Sequence, residues 1–159
     1  MTPVQSRNAA YTLALLIPAA LLGGAYVSQY VFGLYPCEMC WWQRYPHFAA
    51  IALALLALIL RGSAAGPLLV RLAALAVLVS GLIGAFHAGV EYHWWEGITT
   101  CSTGTKYGAN ALDAILNAPV IRCDVAPWTL FGVSLAGFNF LISTLGAGLV
   151  FALLRKGRA

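Results

Sequence analysis

Polar and apolar positions do not alternate along this chain; they separate into long blocks. No Asp, Glu, Lys or Arg occurs between Asn8 and Cys37, between Tyr45 and Leu60, between Leu72 and Val90, or between Val125 and Leu154. A helix needs about 20 mostly apolar residues to cross a bilayer, so the pattern predicts four spans, roughly 10–33, 41–60, 70–89 and 128–154. The second block is short unless Trp41, Trp42 and Arg44 join it, which an interfacial Arg does by snorkelling. Between the spans lie a short Gly- and Pro-containing link from Arg61 to Arg71 and one long loop, 90–127. The expected fold is an all-α integral membrane protein, a single four-helix domain of residues 1–159 without internal repeats. The first apolar block follows Arg7 as a signal peptide would. It continues through Ala25, Tyr26 and Val27 to Phe32, longer than an h-region, and is read as a retained span.

Composition supports this reading. Of 159 residues 61% are hydrophobic and 9% charged, against about 25% charged in soluble domains. Too little polar surface remains for a cytosolic enzyme or a disordered tail. The net charge of +4 is not arranged as a basic stripe, so nucleic acid is not an expected partner. The charges instead orient the bundle. Arg7, Arg61, Arg71, Arg155, Lys156 and Arg158 fall at one end of the blocks, while Arg44, Lys106, Arg122 and every acid (Glu38, Glu91, Glu96, Asp113, Asp124) fall at the other. The positive-inside rule then places both termini in the cytoplasm and the long loop outside. All five Trp map to the outer end, which suits a loop resting on headgroups and equally a site for an apolar ligand at that interface.

That topology makes the cysteines informative. Cys37, Cys40, Cys101 and Cys123 all lie at or beyond the outer face, where disulfides form and persist. Four cysteines allow three connectivities. A bridge between Cys101 and Cys123 would close the loop and stabilise the fold by about 3 kcal/mol. A bridge within Cys37-Glu-Met-Cys40 closes so small a ring that structure alone does not justify it, which points to redox use. Tyr35-Pro36 ends the first span, so a helix starts near Cys37, where the dipole and the CxxC spacing both favour a thiolate. Cys37, Cys40, Arg44 and His47 then share one helical face, and Arg44 is placed to stabilise the Cys40 thiolate or an anion forming on an oxidant. A four-thiolate zinc site is the chemical rival, but the second pair is widely spaced and the compartment oxidising, so no metal is expected. His87, with Glu91 one turn on, could reach a site over the CxxC; His93, beside Trp94 and Trp95, reads as a belt residue. Ala111, Leu112, Ile115 and Leu116 recur at helical spacing opposite Asn110, Asp113 and Asn117, an amphipathic helix for the outer loop that could carry Cys123 toward Cys37 and Cys40. Ser80/Gly84 and Gly132/Ala136 repeat small residues as packed membrane helices do.

Together these residues resemble the DsbB family, the disulfide bond formation proteins of the bacterial inner membrane. The likeness rests on Cys37-Glu-Met-Cys40-Trp-Trp-Gln-Arg44, on the loop cysteine pair, on Phe86-His87-Ala-Gly-Val-Glu91 before Trp94-Trp95, and on Cys123 followed by Trp128 and Gly132 ahead of the last span. The resemblance implies reoxidation of a periplasmic thiol oxidase of the DsbA type and transfer of its electrons to a membrane quinone, ubiquinone or menaquinone. It further implies that Cys101 forms the mixed disulfide with the partner and Cys123 exchanges with Cys37. Cys40 would face the quinone as thiolate, Arg44 would polarise a quinone oxygen, and His87 would sit in the quinone pocket. Enzymes similar to vitamin K epoxide reductase run the same chemistry but place the loop cysteines before the CxxC. A four-span scaffold braced by inert disulfides is the non-enzymatic alternative.

Overall fold

The computed structural model describes residues 1–103 and 121–157. Its elements are α1 (Pro3–Tyr30), α2 (Glu38–Ile59), α3 (Ala65–Glu91), a short α4 (Thr100–Thr103), a hairpin of β1 (Thr129–Leu130) and β2 (Val133–Ser134), and α5 (Leu135–Lys156). The four long helices pack as a bundle in which α1 and α3 each touch both α2 and α5. Three of them, α1, α3 and α5, are long and apolar enough to cross a membrane. The fourth, α2, carries Gln43, Arg44, Pro46 and His47 in its first half, which dilutes its apolar character.

Helix ends follow local chemistry more closely than they follow the apolar blocks. α1 begins at Pro3 because Thr2 caps it: the Thr2 hydroxyl accepts from Gln5 N while the Gln5 side chain accepts from Thr2 N. Arg7 is therefore inside the helix, above the apolar block. At the far end Gly33 takes a φ of 68°, the chain turns, and α2 starts after Cys37 as N-cap. The last span departs most from expectation. Residues 129–134 are not helical: Phe131 (φ 51°) and Gly132 (φ 78°) form a two-residue turn with both central residues left-handed, pairing Thr129 with Ser134 and Leu130 with Val133. The fold is thus helical with one small hairpin, and Gly132 serves a turn, not a helix interface. Tyr92 at the end of α3 ties the hairpin down, its hydroxyl donating to Gly132 O and accepting from Ser134 N, both at 2.9 Å. Ser134 then caps α5 through Gly137 N. The amphipathic helix expected around 111–116 lies outside the described residues.

The core is built from small side chains. Ala10, Ala14, Ala50, Ala54, Ala57, Ala73, Ala74 and Ala147 are buried with Val70, Val77 and Val150, while Leu16, Leu55, Ile59, Leu82 and Leu145 are exposed. A soluble bundle would reverse that order; a membrane bundle gains more from close helix approach than from hiding leucine. Between α3 and α5 the approach is tight enough that a Cβ on Gly84 would stand 2.9 Å from Ala136 O. One end of the bundle gathers cations. Arg61 donates to Asn8 Oδ1 at 2.5 Å and lies over the Tyr11 ring, and Gly157 abuts Arg7. The four cysteines are at the opposite end.

Candidate redox site

The site starts from a helix cap. Cys37 has extended backbone (φ −76°, ψ 177°), and its sulfur accepts from Cys40 N at 3.2 Å, a place usually held by Ser, Thr or Asp. One turn of helix then brings Cys40 Sγ to 2.8 Å from Cys37 Sγ, with both cysteines unbridged. Cys37 is buried and Cys40 half-buried. The hydrogen bond to Cys40, then burial, push the Cys37 thiol up, so the pair keeps its proton on Cys37. The donor atoms of Cys37, Cys40 and His87 fall within 4.8 Å of one another. Two thiolates on one tetrahedral zinc stand about 3.8 Å apart for a Zn–S distance of about 2.3 Å, so the closer sulfurs here suit a dithiol better than a metal site.

Cys101 and Cys123 form a disulfide with a Cα–Cα distance of 5.4 Å. Cys123 is fully buried and belongs to one small cluster with Cys37, Met39 and Val90, against which Cys40, Trp42, Phe86 and Cys101 pack. The long loop therefore returns one of its cysteines to the CxxC. Beside it Arg122 bridges Asp124 in two hydrogen bonds, which hold the Asp124 carboxyl below the usual carboxylate range. Trp95 stacks on Phe86 and donates to its carbonyl at 3.0 Å, lying flat over Gly89, where any Cβ would meet the indole at 2.0 Å. Of the two adjacent outer indoles, Trp95 packs one side against Phe86 and Gly89 but keeps 45% of its surface exposed, and Trp94 is more exposed still at 68%. His93 sits at a left-handed turn (φ 59°) with Nδ1 at 3.0 Å from Glu91 O.

Arg44 is buried, contrary to a snorkelling side chain. Its guanidinium donates to Gln29 Oε1 (2.7 Å) and Ala25 O (3.2 Å) and lies 4.9 Å from the ring centres of both Tyr26 and Trp41. All those partners are neutral, and among the described residues no carboxylate pairs with it. His87 is buried as well: Nε2 lies 3.6 Å from Cys37 Sγ and 3.8 Å from Glu91 Oε1, and Nδ1 lies 2.8 Å from Gln43 Nε2. Cys40, Arg44, His47, His87 and Glu91 line one cavity of about 250 Å³ whose remaining walls are mostly apolar, from Ala20 to Ala25 on α1 to Leu135 and Phe138 on α5. Among the described residues, two buried polar atoms of its lining, His47 Nδ1 and Glu91 Oε2, have no hydrogen-bond partner.

The sequence reading brought forward Cys37, Cys40, Arg44, His47 and His87, and these five do converge. It missed Gln43, Ser80 and Asn139, which form a buried chain between His87 and His47. Their signal was available: an amide inside an apolar span is costly and therefore placed for a purpose.

Comparison with known proteins gives the family. The family model for disulfide bond formation protein DsbB matches residues 7–153. A disulfide bond formation protein B of Verminephrobacter eiseniae is 34% identical over 153 residues, covering 91% of this chain and 84% of the relative. One from Polaromonas sp. is 33% identical, with 91% and 90% covered, and a disulfide bond formation protein B 2 of Pseudomonas savastanoi is 33% identical, with 84% and 80% covered. No solved structure matches the chain. An unbridged cysteine pair at a helix start, a second pair folded back onto it and a match along nearly the whole length lead to one conclusion: the chain belongs to the DsbB family of membrane proteins in disulfide bond formation.

Proposed function

We propose that the protein is a thiol:quinone oxidoreductase of the bacterial inner membrane, with four spans, both termini cytoplasmic and the cysteines at the periplasmic face. It reoxidises a DsbA-type dithiol partner. The observation that carries this reading is the single cavity shared by Cys40 and an Arg44 whose buried charge has no counterion among the described residues. A buried unpaired cation is expensive, and the cost is offset when an anion forms beside it. The fit extends to shape and polarity: at about 250 Å³ the cavity falls just below drug-sized ligand sites, which run from about 300 Å³, and is apolar enough for a ring headgroup whose tail stays in lipid.

A bound quinone supplies a lipid-soluble acceptor of two electrons and two protons. The protein's residues divide the remaining work. A partner thiolate attacks Cys101, breaking the Cys101–Cys123 bond and releasing Cys123 as thiolate; the partner's second thiol then closes the partner disulfide and frees Cys101. Cys123, already packed against Cys37, attacks Cys37 of an oxidised Cys37–Cys40 pair, and Cys40 leaves as the thiolate facing the cavity. Cys101 attacks Cys123 in turn, so the loop disulfide re-forms and Cys37 is released with the proton of the pair. At that stage the Cys37–Cys40 dithiol holds the two electrons drawn from the partner. Arg44 holds negative charge on the cavity side, and His87 faces Cys37. DsbA-type oxidants have potentials near −120 mV, so only an acceptor of still higher potential can recharge them, which favours a quinone.

The test is turnover of purified protein with quinone and reduced partner, followed by quinone absorbance, in wild type and Cys40→Ala. Reduction that disappears in the variant supports the route. No reduction by either protein across several quinones and partners would promote the inert scaffold instead.

A further inference from the structure

We infer that Gln43 and Asn139 are positioning residues that lock neutral His87 with its proton on Nε2, so that it meets Cys37 as a hydrogen-bond donor and not as a base. Hydrogen-bond polarity alone fixes this tautomer. Asn139 has an oxygen and a nitrogen that could trade places, but its Nδ2 lies 3.1 Å from the Ser80 carbonyl, which only accepts. That fixes Nδ2 as the donor and leaves Oδ1 to accept from the Ser143 hydroxyl (2.9 Å) and from His47 Nε2 (3.0 Å).

The same Nδ2 lies 2.8 Å from the Gln43 side chain, so the atom it meets must be Oε1. Gln43 Nε2 then points the other way, toward Met39 O at 3.2 Å and His87 Nδ1 at 2.8 Å. The Met39 carbonyl independently requires a donor there. An amide nitrogen never accepts, so His87 Nδ1 carries the lone pair and Nε2 the proton. Nε2 faces Cys37 Sγ at 3.6 Å and Glu91 Oε1 at 3.8 Å, both acceptors when ionised. The groups around the ring are thus Cys37, Cys40 and Gln43 on and before α2, Glu91 on α3, and the Cys123 backbone; Arg44 lines the cavity beyond.

This deepens the proposed thiol relay. A neutral His87 held this way cannot take the Cys37 proton, since Nε2 is filled and Nδ1 is engaged; its Nε2–H is left to donate to the Cys123 backbone and to a thiolate formed on Cys37 during exchange. The polarity is set by two backbone carbonyls: Met39 O on α2 and, relayed through Asn139 on α5, Ser80 O two turns earlier on His87's own helix.

Imidazole ¹⁵N spectra of the reduced, quinone-free protein in micelles, with His47, His87 and His93 assigned by single substitution, read the tautomer directly. We expect His87 Nδ1 at the unprotonated position and Nε2 at the protonated one. In Gln43→Glu the new carboxylate accepts, and the two positions should exchange. In Gln43→Leu the lock is lost and the two resonances should move toward an average. Wild-type His87 protonated at Nδ1 would overturn the inference, and so would a tautomer unchanged in Gln43→Leu with a native-like amide spectrum. If neither Gln43 variant folds, Asn139→Leu and the wild-type spectrum still decide. Because this readout needs no turnover, failure to reduce quinone would sink the proposed function while leaving the tautomer result standing.

Discussion

At the scale of single residues, the two sulfurs of the CxxC are unequal, and the inequality comes from the helix cap. Cys37 is 5% exposed and accepts from Cys40 N, and its thiol is raised above the ordinary value of 9.0 by the hydrogen bond to Cys40 and by burial. A raised thiol value means the protonated form persists as pH rises through that ordinary value, so Cys37 should remain unreactive there. Iodoacetamide on the reduced protein, read by peptide mass spectrometry, should modify Cys40 well ahead of Cys37 from pH 7 to pH 9; equal rates would remove the asymmetry. Arg44 yields a second expectation. Charge-assisted hydrogen bonds contribute about 1.5–3 kcal/mol, so Arg44→Met should raise the quinone KM tenfold to a hundredfold, while exchange between the partner and Cys101–Cys123 stays near wild type in a single-turnover, quinone-free assay. Loss of both together would point to general damage.

At the scale of elements, the helices were legible and their ends were not. Charge-free runs located α1, α2, α3 and α5 because few residues interrupt them, yet α1 starts at a Thr2–Gln5 capping box that hydropathy ignores. The hairpin was hidden for a physical reason: Phe131 adopts a φ of 51°, a conformation that bulky residues rarely take, so only Gly132 hinted at a turn. Within the site, the CxxC face was legible from helical spacing, whereas Gln43, Ser80 and Asn139 met only through helix packing. Packing also makes a prediction on α3. A Cβ on Gly89 would come within 2.0 Å of Trp95, and the indole is held by Phe86. Gly89→Ala should therefore expel Trp95, lowering stability by about 1–3 kcal/mol, as overpacking does. Intrinsic fluorescence should shift to longer wavelength, and thermal melting should fall. An unchanged spectrum would mean that the indole is not packed as described.

At the scale of the whole molecule, the distribution of charge and the distribution of chemistry are two views of one asymmetry. Arg7, Arg61, Arg155 and Lys156 collect where α1 begins, α2 ends and α5 ends, while the cysteines, the indoles and Glu38, Glu91, Glu96 and Asp124 collect at the other end. The proposed orientation draws on two independent rules, that disulfide chemistry needs an oxidising compartment and that cations near spans favour the cytoplasmic side, and both point to the same end as the outer one. The proposed four spans carry a third consequence, since an even number returns the chain to its starting side. Single cysteines introduced at Ser63 in the α2–α3 link and at Glu96 in the outer loop, with the native thiols blocked, should show this. In intact cells an impermeant maleimide should label position 96 and spare position 63, and inverted vesicles should reverse the pattern. Labelling of both positions from one side would mean that α2 or α3 does not cross, and it would separate the site from the compartment that its chemistry needs.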